Sequence, residues 1–176
     1  MAGANPAGDH PLHPRGVLTY ALTPIAGGPW PGRLALGPMP VGARDLADIR
    51  DWAPVLVFSL VEDGEAARDG LAPLETAFAG AGLTCVRAPI RDFGAPGEGF
   101  LLDWETNRHR AVEALENGGK VLCHCRAGRG RSGMVAAALL VAGGLPPDEA
   151  IRLVRAARPG AVETPGQEDW VRASRQ

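Results

Sequence analysis

The chain has 176 residues, of which 45% are apolar and 22% charged, and a formal net charge of −2. This length suits one globular domain with its own core. The negative net charge argues against a dedicated nucleic-acid binder, which would carry an excess of basic residues. The longest apolar run, residues 134–142, is far too short to cross a bilayer. With three cysteines and no visible secretory signal, we expect a cytoplasmic protein without a disulfide framework.

The elements follow a regular order along the chain. Residues 1–30 are rich in Pro, Gly and Ala without periodicity, which predicts a flexible leader before a single domain over residues 31–176. From residue 33, short apolar runs alternate with segments of helical periodicity. Strands are predicted at 33–36, 54–60, 84–89 and 120–124, and helices at about 42–52, 71–81, 100–117, 131–142, 147–157 and 165–174. Strands separated by helices predict an α/β fold, with a mostly parallel central sheet flanked by helices.

The most informative segment is VLCHCRAGRGRSG, residues 121–133. It predicts a buried strand that ends near Cys125, a turn rich in Gly and Arg, and a buried helix that begins near Arg131. Glycines let the N–H groups of such a turn curl around one point, and the helix directs the positive end of its dipole there. We expect this turn to bind an anion such as phosphate, through the backbone of Arg126, Ala127, Gly128, Arg129, Gly130 and Arg131.

The side chains of this segment suit phosphate chemistry. A thiol at the floor of an anion cradle ionises readily, so Cys125 is the predicted nucleophile. The planar guanidinium of Arg131 can hold two phosphate oxygens. Ser132 can donate a hydrogen bond to the Cys125 thiolate and make it a better leaving group. We expect His124 to fix the turn by hydrogen bonding to the backbone.

Two other uses of the segment are excluded. A Walker-type nucleotide loop needs a Lys before its Ser or Thr, and no Lys stands here. A zinc site at residues 123–125 lacks a second ligand pair, and neighbouring strand residues point to opposite faces. Cys123 shares a face with Cys125; we expect it in the core, with a resolving thiol as the alternative. We expect no metal and no cofactor.

A candidate general acid lies upstream of the turn. Cleavage of a phosphate monoester requires a proton for the departing oxygen. Asp92 follows the strand predicted at 84–89, so it should lie at the same carboxyl edge of the sheet as Cys125. The Gly- and Pro-containing loop around Asp92 can close over a substrate. Glu98 and Asp103 are the fallback candidates.

Three segments carry a resemblance to a known family. The pattern His-Cys-x5-Arg-Ser, residues 124–132, resembles the signature of the Cys-dependent protein tyrosine phosphatase superfamily. Pro89-Ile90-x-Asp92 resembles the general-acid loop of compact dual-specificity phosphatases. Residues 158–167 resemble the kinase-associated phosphatase branch, in which a Gln near the pocket orients water. Gln167 takes that place here, although Thr164-x-x-Gln167 is equally a helix capping box.

The resemblance implies a phosphatase that acts on phosphotyrosine, and on phosphoserine or phosphothreonine, in proteins through a phosphocysteine intermediate. Two alternatives stay open. Arg126 and Arg129 make the loop unusually basic, which resembles phosphatases for inositol phosphates or phosphoinositides. A phosphate-binding adaptor without turnover is the alternative of another class, and the combination of Cys125, Arg131 and Ser132 with a candidate acid argues against it.

Overall fold

The computed structural model describes residues 20–68 and 73–174. Its strands are β1 (Thr23–Pro24), β2 (Arg33–Gly37), β3 (Leu56–Ser59), β4 (Cys85–Arg87) and β5 (Lys120–His124). Its helices are α1 (Ala43–Trp52), α2 (Asp63–Arg68), α3 (Leu74–Gly80), α4 (Glu98–Glu116), α5 (Gly130–Ala142), α6 (Pro147–Ala157) and α7 (Pro165–Ala173).

The strands form one sheet in the order β1-β2-β5-β3-β4. β1 runs antiparallel to β2, and the other pairs are parallel. β5 is the central strand, with Cys123 in register with Leu36 on one side and with Phe58 on the other. The carboxyl end of β5 therefore opens in the middle of one sheet edge, where parallel α/β sheets place their ligands.

Helices cover both faces of the sheet. Alternate strand residues feed two separate cores, as the two-residue repeat of a strand requires. One core packs β-strand side chains such as Phe58 and Cys123 against α4, α5, α6 and α7, and the other packs Val57 and Leu122 against α1, α2 and α3. α5 is apolar on all sides and almost wholly buried. The predicted α/β architecture and the central buried helix are confirmed.

Two elements differ from the sequence prediction. The helix predicted over 71–81 is shorter in the structure, where α2 and α3 flank residues outside the described part, Leu71 among them. β1 was not predicted, because two residues carry no periodicity. Yet Tyr20 and Ile25 are buried, so the described part of the predicted leader, residues 20–30, packs against the domain.

None of the helices in residues 20–68 and 73–174 combines the length and the apolar character needed to cross a bilayer.

Candidate active site

Cys125 lies where the central strand gives way to the turn. Its Sγ atom lies 3.3 Å from the Oγ atom of Ser132, in the first turn of α5, and both residues are buried. Gly128 has a φ of +69°, which favours glycine. A Cβ atom at Gly128 would also come within 2.5 Å of the Gly37 carbonyl carbon. The turn is thus fixed tightly around the thiol by the end of β2.

The backbone of the turn has unused donors. Within the described part of the chain, no hydrogen bond uses the N–H group of any residue from 126 to 130. These free N–H groups lead directly into the N-terminus of α5, whose dipole places partial positive charge there. Such an arrangement binds anions.

Arg131 is 1% exposed, and its buried positive charge is paired with the carboxylate of Glu65. Its Nη1 and Nη2 atoms donate to the two carboxylate oxygens of Glu65, at 2.6 and 2.8 Å, and Nη1 also donates to the Ile90 carbonyl at 3.0 Å. Burial alone opposes ionisation of both partners. The hydrogen bonds between them nevertheless raise the pKa of Arg131 above its ordinary value and lower the pKa of Glu65 below its ordinary value.

Asp92 lies beside the same guanidinium. Its Oδ1 atom is 3.0 Å from Arg131 Nη2 and accepts a hydrogen bond from the Phe93 N–H at 3.1 Å, while 45% of the side chain stays exposed. The structure thus brings the predicted acid to the predicted cradle. Glu65 and Asp92 together bind both terminal nitrogens of Arg131. A phosphate oxygen that binds Nη2 must therefore displace the Asp92 carboxylate.

The loop that carries Asp92 is strained and tied down from α7. Phe93 adopts a left-handed conformation, with a φ of 58°, and its side chain is 63% exposed. A bulky residue rarely adopts this conformation, and such strain clusters at functional sites. Thr164 Oγ1 donates to the Phe93 carbonyl at 3.4 Å, and Gln167 Nε2 donates to the Gly94 carbonyl at 3.1 Å. These bonds hold the loop in place.

Gln167 has features of both of its predicted roles. Its N–H donates to Thr164 Oγ1 at 3.2 Å, which caps α7 as predicted. Its Oε1 atom accepts from the Glu163 N–H at 2.8 Å. A Cβ atom placed at Gly130 would lie 3.1 Å from Gln167 Oε1, so the amide packs against the phosphate-binding turn. Its water-orienting role stays a prediction.

A family model described as "Polymorphic toxin system, DSP-PTPase phosphatase" matches residues 52–145, which include β5, the turn and α5. That is more than half of the chain. The chain belongs to this family.

Solved structures agree with this membership. This DSP-PTPase is 34% identical to Tk-PTP in its active form, with a TM-score of 0.68 over 81% of this chain and 91% of that chain. Kinase associated phosphatase, with its catalytic-site cysteine replaced by serine, superposes with a TM-score of 0.76 over 86% of this chain and 92% of that chain. At 22% identity, that second likeness shows the fold alone.

PTPMT1 in complex with PI(5)P also shares the fold, with a TM-score of 0.68, 22% identity and coverage of 84% of this chain and 92% of that chain. Among curated proteins, protein tyrosine phosphatase domain-containing protein 1 of Mus musculus is 36% identical over 99 residues, 56% of this chain. The match spans only 13% of the mouse protein. The predicted membership in the Cys-dependent protein tyrosine phosphatase superfamily is confirmed.

The ring of His124 packs against Phe78 with centroids 5.5 Å apart. No partner within the described residues meets hydrogen-bonding geometry at either ring nitrogen, yet the Cys125 backbone is close enough to act on the pKa of the ring. The predicted hydrogen bond of His124 to the backbone stays a prediction. Burial, reinforced by the nearby charge of Arg87, lowers the pKa of His124 to about 3. Its side chain is therefore a neutral, buried group at the start of the turn.

We expect the free energy of unfolding to fall in mild acid because of His124. The pKa in the unfolded chain lies near 6.5 and that in the folded protein near 3. Between these values the unfolded chain binds a proton that the folded protein does not. The free energy of unfolding should therefore fall by about 1.4 kcal/mol per pH unit as the pH decreases below 6.5.

Denaturant titrations between pH 5 and 7 measure this slope. His124→Asn should remove it, whereas His109→Asn, which alters an exposed residue of α4, should keep it. An unchanged slope in the His124 variant would contradict the assignment.

Proposed function

We propose that this DSP-PTPase hydrolyses phosphate monoesters on proteins, phosphotyrosine foremost, through a phosphocysteine intermediate in the cytoplasm. One observation carries the proposal. The Cys125 thiol, 3.3 Å from Ser132 Oγ, lies at the start of a turn whose N–H groups have no hydrogen-bond partner within the described residues. Arg131 and Asp92 are in contact at the same site.

In the first step, Cys125 Sγ attacks phosphorus in line with the ester oxygen. The S–P bond forms as the P–O ester bond breaks, and the departing oxygen takes a proton from Asp92. The N–H groups of the turn and the Arg131 guanidinium hold the other phosphoryl oxygens through the transition state. Glu65 keeps Arg131 in place through its two hydrogen bonds.

In the second step, water attacks the phosphocysteine. The new P–O bond forms as the P–S bond breaks, and Asp92, now a carboxylate, takes the water proton. Ser132 donates a hydrogen bond to the departing Cys125 thiolate, over the 3.3 Å that separates the two groups. Gln167, packed against Gly130, is the proposed partner of the attacking water.

Phe93 supports an aromatic substrate. It adjoins Asp92 in the chain and is 63% exposed, although an aromatic side chain gains by burial. A phosphotyrosine ring bound with its phosphate at Cys125 can pack against this ring. Phosphoserine and phosphothreonine lack that contact, so we propose dual specificity with a preference for phosphotyrosine.

The test compares kcat/KM for a phosphotyrosyl peptide, the same peptide with phosphoserine, and PI(5)P. We expect the phosphotyrosyl peptide to be the best substrate. Phe93→Ala should reduce its kcat/KM by about 2–10-fold, since an aromatic pair contributes about 0.5–1.5 kcal/mol, and should spare the phosphoseryl peptide. Leu102→Ala, which removes an apolar side chain that is 84% exposed on α4, is the control.

A phosphoinositide substrate is the second candidate, favoured by the exposed Arg126 and Arg129 on the turn and by the shared fold of PTPMT1 in complex with PI(5)P. Faster turnover of PI(5)P than of either peptide, lost when both arginines become Gln, would select this alternative. Binding without turnover of any of the three substrates would select the adaptor.

A further inference from the structure

The outer side of the phosphate-binding turn contacts Arg158 and the Gly37–Pro38 peptide, and both of these contact the N-terminal segment 20–24. We propose that Tyr20 and Arg158 are positioning residues that keep the N–H groups of the turn directed at the bound anion. This inference rests on the proposed function for the identity of the anion, and it assigns a role to two residues outside the signature motif.

The geometry of the peptide unit couples the direction of each N–H group to that of the preceding carbonyl. The C=O of one residue and the N–H of the next share a rigid plane and point in opposite directions. Each N–H group of the turn therefore faces an anion only while the preceding carbonyl faces away from it. Donors outside the turn that bind these carbonyls fix the orientation of the N–H groups.

The structure supplies such donors to successive peptide planes. The Met39 N–H donates to the Arg126 carbonyl at 3.1 Å, which fixes the N–H of Ala127. Arg158 Nη2 donates to the Ala127 carbonyl at 3.2 Å, which fixes the N–H of Gly128. Without the bond from Arg158 the Ala127–Gly128 plane can rotate, because Gly128 permits many backbone conformations.

Arg158 links the turn to the N-terminal segment. While its Nη2 atom binds the turn, its Nη1 atom donates to the Ala21 carbonyl at 3.0 Å and to Thr23 Oγ1 at 3.3 Å. One guanidinium thus bridges the turn and β1. A Lys ammonium at this position cannot reproduce that planar, two-sided contact.

Tyr20 contacts the Gly37–Pro38 peptide, against which the turn packs. Its ring is buried and its hydroxyl donates to the Pro38 carbonyl. Its N–H donates to Asp48 Oδ2 at 2.8 Å, which anchors the residue on α1. Gly37 has no room for a Cβ atom against the Tyr20 hydroxyl.

Gly128 lies against the other side of Gly37, since a Cβ atom at Gly128 would come within 2.5 Å of the Gly37 carbonyl carbon. The Gly37–Pro38 peptide is therefore held between Tyr20 and the turn. Burial raises the pKa of Tyr20, so the hydroxyl keeps its proton and stays a donor.

The test uses inorganic vanadate as the anion and three variants. Arg158→Met should weaken vanadate binding by about 10-fold or more and lower kcat/KM for an aryl phosphate by up to about 10²-fold, as small displacements of a site do. Arg158→Lys should recover part of the loss. Tyr20→Phe, which keeps the ring, should change both quantities in the same direction but less. Arg152→Met, which removes an exposed ion pair with Glu149 on α6, should match the wild type.

Hydrogen exchange of the peptide that spans residues 121–133, measured without any anion, gives a second readout. Arg158→Met should speed exchange there while leaving the β3 peptide unchanged. Wild-type vanadate binding and exchange in folded Arg158→Lys and Tyr20→Phe would overturn the inference. If the wild type itself fails to bind vanadate, the proposed function fails, and the exchange rates alone decide whether Tyr20 and Arg158 order the turn.

Discussion

Replacing Cys125 by Ser is expected to lower kcat for an aryl phosphate by at least about 10³-fold while the fold is kept. A hydroxyl at this position ionises far less readily than a thiol, so it lacks a competent nucleophile. The variant differs by one atom, and the free N–H groups of the turn are unchanged. Vanadate binding and the melting temperature should therefore stay close to those of the wild type.

Cys123→Ser is the matched control for this variant. Cys123 lies two residues earlier on β5, fully buried, and burial raises the pKa of its thiol. A hydroxyl there loses apolar packing, so the variant should be less stable but should keep its turnover. Phosphate release at a common temperature, with unfolding measured on the same samples, separates the two effects. Near-normal turnover in the Cys125 variant would refute the phosphocysteine mechanism.

Local sequence was enough to predict the relation of Cys125 to Ser132, because a turn of five residues, 125–129, between β5 and α5 leaves few arrangements. Asp92 lies 33 positions before Cys125 in the chain, yet its approach to Arg131 could also be predicted. The reason is that consecutive parallel strands end at the same edge of the sheet. The placement of these side chains is predictable because one secondary-structure element, or the parallel topology, constrains them, while their catalytic roles stay predictions.

Glu65 was missed because it lies on α2, which the sequence pattern does not predict. It lies 66 positions from its partner Arg131, on a helix of six residues that shows no apolar periodicity. The only signal in the sequence is a carboxylate a few residues after the strand predicted at 54–60, where the same sheet-edge argument as for Asp92 applies. The contact of Arg158 with the turn is equally invisible, since it depends on how α6 packs on the sheet.

The direction of the His124 ring follows from strand geometry. Strand alternation turns it to the face opposite Cys125, toward α3, where it packs against Phe78. Alternation cannot predict which backbone group a buried ring nitrogen meets, so the hydrogen bond of His124 to the backbone stays a prediction.

Asp92→Asn is expected to slow hydrolysis of esters with poor leaving groups, such as tyrosyl and alkyl phosphates, by roughly 10²–10⁴-fold. An ester whose leaving group departs without a proton should be almost unaffected. The difference arises because the contribution of a general acid grows with the negative charge that develops on the departing oxygen. The loss of rate at high pH, which reflects loss of the acid's proton, should disappear in the Asn variant.

The structure adds a second expectation for the same variant. In the free protein the Asp92 carboxylate occupies Arg131 Nη2 at 3.0 Å, where it competes with a phosphate oxygen. A neutral amide competes less, so Asp92→Asn should bind vanadate more tightly than the wild type while it turns over poor leaving groups more slowly. A residue that merely held the loop would instead weaken binding and slow all esters alike.

Asp103→Asn, in the middle of α4, is the control and tests the fallback acid at the same time. The decisive measurement is the dependence of kcat/KM on the leaving group for wild type, Asp92→Asn and Asp103→Asn. A steeper dependence in the Asp103 variant alone would transfer the role of the acid to that residue. A steeper dependence in the Asp92 variant alone, together with tighter vanadate binding, would identify Asp92 as the general acid. It would also mean that Asp92 leaves Arg131 and takes up its proton when the substrate binds.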